Sequence, residues 1–166
     1  MIIAFTGYAQ SGKDTAAKAL IEDGWHRRAF ADPIKDKARR ENVFVNAMVS
    51  EWGWDITKTL FPTVCKTMQT VGVRERDKDP DYWVRIAMAD LPDRVVITDC
   101  RFLNEVEAVK AAGGIVVRVE RPGVGPVNDH ISDTGIDALP VDYVIYNDGT
   151  VADLHDRVRK VAMSYA

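Results

Sequence analysis

Residues 1–20, "MIIAFTGYAQSGKDTAAKAL", decide how the rest of the chain is read. Met1 to Thr6 is an apolar run with the signature of a buried strand, and Ser11 to Glu22 reads as a helix closed by Gly24. Between them the spacing G-x-x-x-x-G-K-[ST] is met at every position but the last, where Asp14 replaces the hydroxyl residue. A strand before and a helix after is the context in which such a loop binds phosphate. Gly7 and Gly12 let backbone N–H groups turn inward, Gln10 and Ser11 complete the loop, and the helix N-terminus adds a favourable dipole. Lys13 is placed to reach terminal phosphates. Asp14 reads in two ways: as the loss of a metal site, or as a carboxylate that accepts from the water shell of Mg²⁺. Mg²⁺ keeps several waters and takes carboxylates readily, and Thr15 still supplies a hydroxyl one residue later. The loop is therefore expected to work.

Outward from the loop, strands alternate with helices. "RRAFA" is a short second strand, and "ADPIKDKARR" opens a helix with Asp32 as N-cap and Pro33 in its first turn. Ser50 to Phe61 reads as loop with a short helix. Pro62 opens a helix that Gly72 ends, "RERDKD" is a charged loop, and Pro80 starts another helix with Trp83, Ile86 and Ala87 on one face. "RVVITD" is the clearest interior strand, followed by a helix with Asn104 as N-cap. "IVVRVE" and "VDYVIY" are further strands, and Thr150 caps a last helix whose apolar stripe is Val151, Leu154, Val158 and Val161. This alternation predicts an α/β fold, a parallel sheet covered by helices on both faces. The segment from about 121 to 140 is too rich in Gly, Pro and Asp for regular structure, and a loop of that length in a compact domain is characteristic of a lid.

A chain of 166 residues, 46% hydrophobic and 28% charged, is sized for one domain, expected to span 1–166, with a core that needs no disulfide. A net charge of −3 argues against a protein that coats nucleic acid. Cys65 and Cys100 are the only cysteines, read as small hydrophobes in a reducing, cytoplasmic setting. No apolar run reaches membrane-spanning length. His26, His130 and His155 lack metal-ligand spacing.

A phosphate loop that serves a kinase needs a second pocket and a way to exclude water. The Lys-containing base-reading motif of GTPases is missing, and "NDG" at Asn147 to Gly149 reads as a turn. "TDCRF" places Asp99 and Arg101 just past a strand's carboxyl end, where open α/β sheets bind ligands. Arg101 suits bidentate phosphate binding, and Asp99 could organise metal-bound waters, unless the two form a structural ion pair. Lys35, Lys66, Arg74, Arg76 and Arg121 fall in segments expected to border the same cleft. A phosphate acceptor would account for that many cations, and it would need no general base because its oxygens are already ionised.

Taken in order, "SGKDT", "ADPIKD", "MQTVG", "DYWVR", "TDCRFLNEVEA", "VERPG", "NDHIS" and "NDGT" resemble the deoxynucleoside monophosphate kinases of bacteriophages over most of the chain. The "SGKD" departure is also similar to animal-type phosphomevalonate kinase. The resemblance implies a P-loop nucleoside monophosphate kinase fold, three-layered with a five-stranded parallel sheet and a lid loop, acting in the host cytoplasm. It implies ATP and Mg²⁺ as cofactors and transfer to a deoxynucleoside 5′-monophosphate. On that basis Lys13, Asp14 and Thr15 carry over to ATP, Asp14 and Asp99 to the metal through water, and Trp83, Asp99, Arg101 and Glu105 to the acceptor. Gln69 and Gly72 would line the acceptor nucleotide with Lys35, Lys66 and Arg76. Arg121 would stand at the lid hinge, with His130 and Ser132 in the lid itself. The chain departs from the family in Lys66, which stands where the family tends to have Arg and so lacks the bidentate fork. The connection "VGVRERDKD" replaces a longer one, and 41–58 is short beside some members.

Two other readings stay open on the residues alone. One is a P-loop kinase for another small acceptor, phosphomevalonate-like or dephospho-coenzyme A-like. The other is a nucleotide-binding protein without turnover. Trp52 and Trp54 flank Gly53 and read as core before base-stacking; a helix face around Trp83 could pair two chains into a homodimer.

Overall fold

The computed structural model describes residues 1–126 and 135–165. Its elements run β1 (Ile2–Thr6), α1 (Lys13–Glu22), β2 (His26–Arg28), α2 (Ala31–Glu41), α3 (Val43–Leu60), α4 (Pro62–Lys78) and α5 (Tyr82–Ala87). They continue as β3 (Val95–Ile97), α6 (Leu103–Ala111), β4 (Ile115–Glu120), a 3₁₀ turn (Ile136–Ala138), β5 (Tyr143–Tyr146) and α7 (Val151–Tyr165). The chain divides into two compact units, 30–87 and the remainder.

The larger unit holds a five-stranded sheet in the order β2-β3-β1-β4-β5, every neighbouring pair parallel. The parallel sheet expected from the alternation is there, with the five strands that the resemblance implies. β1 is central and all five of its residues are buried, which is why its sequence is apolar without alternation. Ile3 pairs with Val96 on one side and Ile115 on the other, so Thr6 and Gly7 emerge at the carboxyl edge of the sheet. Ile3, Phe5, Val96, Val117, Val119 and Ile145 pack with Ala16, Ala17 and Leu20 of α1 and Leu154 and Val158 of α7. Each fully buried Val, Leu, Ile or Phe among them contributes about 1.5–3 kcal/mol. The α7 stripe begins later than its pattern suggests, because Val151 is exposed.

Residues 30–87 form a helical unit around Ala38, Val45, Val49, Val64, Val71 and Trp83. Three expectations fail here. Asp32 does not cap α2, which starts at Ala31 after Phe30. The loop expected from Ser50 is helix α3, with Asn42 capping its start (Val45 N to Asn42 Oδ1, 3.1 Å) and Gly53 (φ 72°, ψ 172°) breaking it mid-way. Gly72 does not end α4, which runs on through Arg76 to Lys78. A Cβ at Gly72 would meet Ile34 Cδ1 and Cγ2 at 3.5 and 3.8 Å, ordinary contact distances, and the Gly72 carbonyl accepts from Trp83 Nε1 at 2.9 Å. The helix thus continues through Gly72 despite the roughly 1 kcal/mol helix penalty of a glycine. Similarly α6 starts at Leu103 after Phe102, and Asn104 is not its cap.

Candidate active site

The phosphate loop leaves the central strand and turns through three left-handed residues: Gly7 (φ 135°), Gln10 (φ 65°) and Gly12 (φ 105°). A side chain at Gly7 would place its Cβ 2.5 Å from the Val119 carbonyl oxygen, so β4 closes on the loop there and only glycine fits. Gln10 is not a glycine and holds its strained backbone for a cost on the order of 1 kcal/mol. Alternating left- and right-handed residues turn successive N–H groups to one side, the geometry of an anion cradle. Helix α1 follows at once, with Ala16 N bonded to Gly12 O at 2.8 Å.

Lys13 is almost fully buried, and its Nζ donates to the Tyr8 carbonyl at 2.6 Å, an ammonium held across the mouth of its own loop. The Ser11 hydroxyl and the Thr6 hydroxyl are buried and make no hydrogen bond. Gln10, Gly12, Lys13, Asp14, Thr15, Arg121, Asn147, Gly149 and Val151 line a cavity of about 520 Å³. A second hollow of about 340 Å³ lies beside it, walled by Tyr8, Ser11, Arg118, Glu120 and Tyr146, and Arg121 borders both. Five of the seven residues expected to bind a nucleotide thus share one cavity with Arg121, while Gly7 and Ser11 border the other.

β3 delivers the second group. Cys100 N donates to Phe5 O at 3.0 Å, which lays Asp99–Arg101 beside the end of β1. Glu105 is buried, and its Oε2 accepts from the backbone N–H groups of Arg101 (2.7 Å) and Phe102 (3.1 Å). Its carboxylate therefore fixes the backbone that carries Arg101 and caps α6, a role its sequence position did not disclose. Cys100 is fully buried; desolvation, and then the Glu105 and Asp99 charges, push its thiol well above the ordinary range, so it is an inert small hydrophobe.

In the helical unit, exposed Lys66 and Gln69 and half-buried Arg76 lie along one stripe of α4 at helical spacing, with Val64, Val71 and Glu75 on the opposite, buried side. Arg74 is clamped by Glu41 (2.9 and 2.7 Å) and Glu75 (2.9 Å), which holds it in an ion-pair network. Lys35 pairs with Asp32 at 3.1 Å. Trp83 is 2% exposed, edge-on to Tyr82 and bonded to Gly72, so its indole is not itself accessible, while Ile86 on the same helix is exposed. Gly72 is likewise buried. Trp54 packs on the core as expected, whereas Trp52 is exposed and stacks on Phe61 at 5.4 Å, which corrects its reading as core. His130 and Ser132 lie outside the described residues.

Sequence reading missed Asn147. It follows β5 directly, donates from Nδ2 to the Ser11 carbonyl at 2.9 Å, and receives its place from a backbone bond to Glu120 O at 2.6 Å. The signals were its place in "NDGT" and its position, an Asn immediately after a strand that ends at the same edge of the sheet as the loop. Among the described residues no cluster of His, Cys, Asp or Glu could hold a metal by itself, and no helix is long and apolar enough to cross a membrane.

A parallel sheet whose central strand feeds a glycine–lysine cradle defines a P-loop phosphate-binding protein. The residue pattern of deoxynucleotide monophosphate kinases matches 38–158, and the chain belongs to that family. A provisionally named deoxynucleotide monophosphate kinase of Acanthamoeba polyphaga mimivirus is 29% identical, over 95% of this chain and 94% of its own length. The deoxynucleotide monophosphate kinase of Escherichia phage RB69 is 31% identical over 50% of this chain and 37% of its own, so the chain matches well under half of that enzyme. Dephospho-CoA kinase from Campylobacter jejuni superposes with a TM-score of 0.52 at 14% identity, covering 99% of this chain and 97% of that one, a likeness of fold alone.

Proposed function

We propose that this protein transfers a terminal phosphoryl group from ATP to a deoxynucleoside 5′-monophosphate, giving the diphosphate. Membership of the family carries the reaction class, and the cradle with its buried lysine is the observation that supports a triphosphate donor. In this reading Lys13 leaves the Tyr8 carbonyl for the β- and γ-phosphates, exchanging a neutral partner for charged ones. The loop N–H groups hold the β-phosphate. The cavity lined by Arg121, Asn147, Gly149 and Val151 takes the nucleoside end of the donor.

Asp14 is exposed on the first turn of α1 and lines the same cavity beside Thr15, which fits a carboxylate that accepts from metal-bound water. Mg²⁺ bound there would neutralise charge that develops on the transferring group. Asp99 is the second candidate for that water shell. Arg101, on a backbone fixed by Glu105, grips the acceptor phosphate, and Lys66, Gln69 and Arg76 are proposed contacts of the acceptor nucleotide. Arg121 shields charge between donor and acceptor. The acceptor oxygen is already ionised near neutral pH, so positioning and electrostatics supply the catalysis.

The test is ADP release with ATP and Mg²⁺ across the four common deoxynucleoside monophosphates, their ribonucleotide counterparts, dephospho-coenzyme A and phosphomevalonate. Turnover with at least one deoxynucleoside monophosphate, at least tenfold above every other class in kcat/KM, is expected. Turnover confined to another acceptor would overturn the assignment.

A further inference from the structure

Asn147 joins two parts of the chain that are 136 residues apart, and the bond it makes falls on the one peptide unit where direction matters most. Its Nδ2 donates to the carbonyl oxygen of Ser11 at 2.9 Å. The partner is a carbonyl, so the nitrogen of the amide and not its oxygen must face it. The Ser11–Gly12 peptide is planar and trans, with C=O and N–H pointing in opposite directions. Holding the Ser11 oxygen toward Asn147 therefore turns the Gly12 N–H away from it. Gly12 and Asn147 line the same cavity as Lys13 and Asp14.

The fit is close from both sides. A Cβ on Gly12 would lie 2.5 Å from Asn147 Nδ2, so the amide is seated directly against the loop backbone. Asn147 is itself braced: its N–H bonds Glu120 O at 2.6 Å, directly before Arg121. Arg157 donates to the Tyr146 carbonyl and to Asp148 Oδ1. Thr150 then donates to Asp153 Oδ2 through its N–H (2.8 Å) and its hydroxyl (2.7 Å), closing the turn onto α7. The turn after β5 is thus a rigid mount for one side chain.

We infer that Asn147 is a positioning residue of the phosphate loop, fixing the Ser11–Gly12 peptide so that the Gly12 N–H is aimed at the donor's phosphates before the nucleotide arrives. The inference rests on the reading of the loop as the donor site. Without this bond the peptide is free to rotate, and a flip would present a carbonyl oxygen to the phosphates in place of a donor.

The informative substitution is Asn147→Asp, which keeps size and shape. At pH 8 its carboxylate cannot donate and faces the Ser11 oxygen acceptor to acceptor. When protonated, a carboxyl group donates again. Binding of ATP and of ADP is measured by calorimetry from pH 5 to pH 8 on wild type and variant, with steady-state KM for the acceptor alongside. The expected result is a tenfold to hundredfold weaker ATP and ADP affinity at pH 8, on the scale of about one charge-assisted hydrogen bond. The deficit should shrink relative to wild type as pH falls toward 5, while the acceptor KM changes less than threefold. Affinity within twofold of wild type at pH 8, or a deficit that does not vary with pH, would overturn the inference and make Asn147 a strand-end tie. Should Asn147→Asp fail to fold, Asn147→Ser, which keeps a shorter donor, must retain more ATP affinity than Asn147→Ala; equal losses would overturn the inference. If wild type binds neither ATP nor ADP, the donor-site reading itself fails, an outcome distinct from a wild type that binds and a variant that binds equally.

Discussion

The sheet unit and the helical unit present charge in opposite ways. At the carboxyl edge of the sheet, the chemistry is carried by backbone: left-handed Gly7, Gln10 and Gly12, the carbonyl that holds Lys13, and an amide that holds Ser11. The central strand beneath it, β1, is buried along its whole length, so these groups have few alternative positions. In residues 30–87 the charges ride on long side chains along helices, and several are tied to one another, as Arg74, Glu41, Glu75 and Lys37 are. A fixed dipole loses nothing when a ligand arrives, whereas a long side chain must be ordered first. The difference teaches where function should be sensitive to single substitutions and where stability should be.

The largest effect is expected at the centre of the cradle. Lys13→Ala should lower kcat/KM by on the order of 10²–10³, the scale of losing one preorganised donor to a developing charge. Melting temperature should move little, because the lysine contacts a loop carbonyl and not the core. Near-wild-type turnover in the folded variant would erase the contrast between the units.

Arg101→Lys comes next and separates geometry from charge. Lysine keeps the positive charge and loses the planar fork. Acceptor kcat/KM should fall about thirtyfold, roughly 2 kcal/mol, with equilibrium binding of an ATP analogue unchanged. Equal losses in both would assign Arg101 to the donor.

The smallest effect belongs to the helical unit and should appear in stability alone. Hydrogen bonds from Arg74, with the charges of Lys78 and Lys37 behind them, hold the Glu75 carboxyl below its ordinary value of 4.5. Arg74 and Lys37 do the same for Glu41. A carboxyl depressed by folding adds stability above its unfolded pKa, and that stability is lost as pH falls through the lower folded value. The melting temperature should therefore hold steady above about pH 5 and decline below 4.5. Glu75→Gln should lower it modestly at pH 7 and flatten the decline, with kcat unchanged. An unaltered pH profile of the melting temperature in Glu75→Gln would show the network to be solvated and without consequence.

Much of the sheet unit could be read directly from the residues. The run Met1 to Thr6, the spacing of Gly7, Gly12 and Lys13, and "RVVITD" are local patterns, and local patterns specify strands, turns and helix starts because backbone sterics and side-chain period act over a few residues. Five parallel strands and a loop for phosphate followed from these. What the residues misled about was the fate of single punctuation marks. Gly72 looks like a helix end, and Asp32 and Asn104 look like caps. Whether a glycine stops a helix depends on what packs against it, here Ile34 and the indole of Trp83 from elsewhere in the chain. The family resemblance assigned Trp83 to the acceptor; burial among residues distant in sequence removed it from the surface.

The sequence by itself determined that a phosphate cradle would form on a parallel sheet, since the residues responsible are contiguous and their conformational preferences are intrinsic. Only the tertiary structure decided what holds that cradle in shape. The Asn147 amide reaches the loop across 136 residues, and Glu105 fixes the backbone of Arg101 through a carboxylate that reads in sequence like any other helix charge. A hydrogen bond between distant segments leaves no periodic trace in either one, because each partner needs only to be polar and to arrive at the right place. Arrival is a property of strand order, and strand order exists only once the chain has folded.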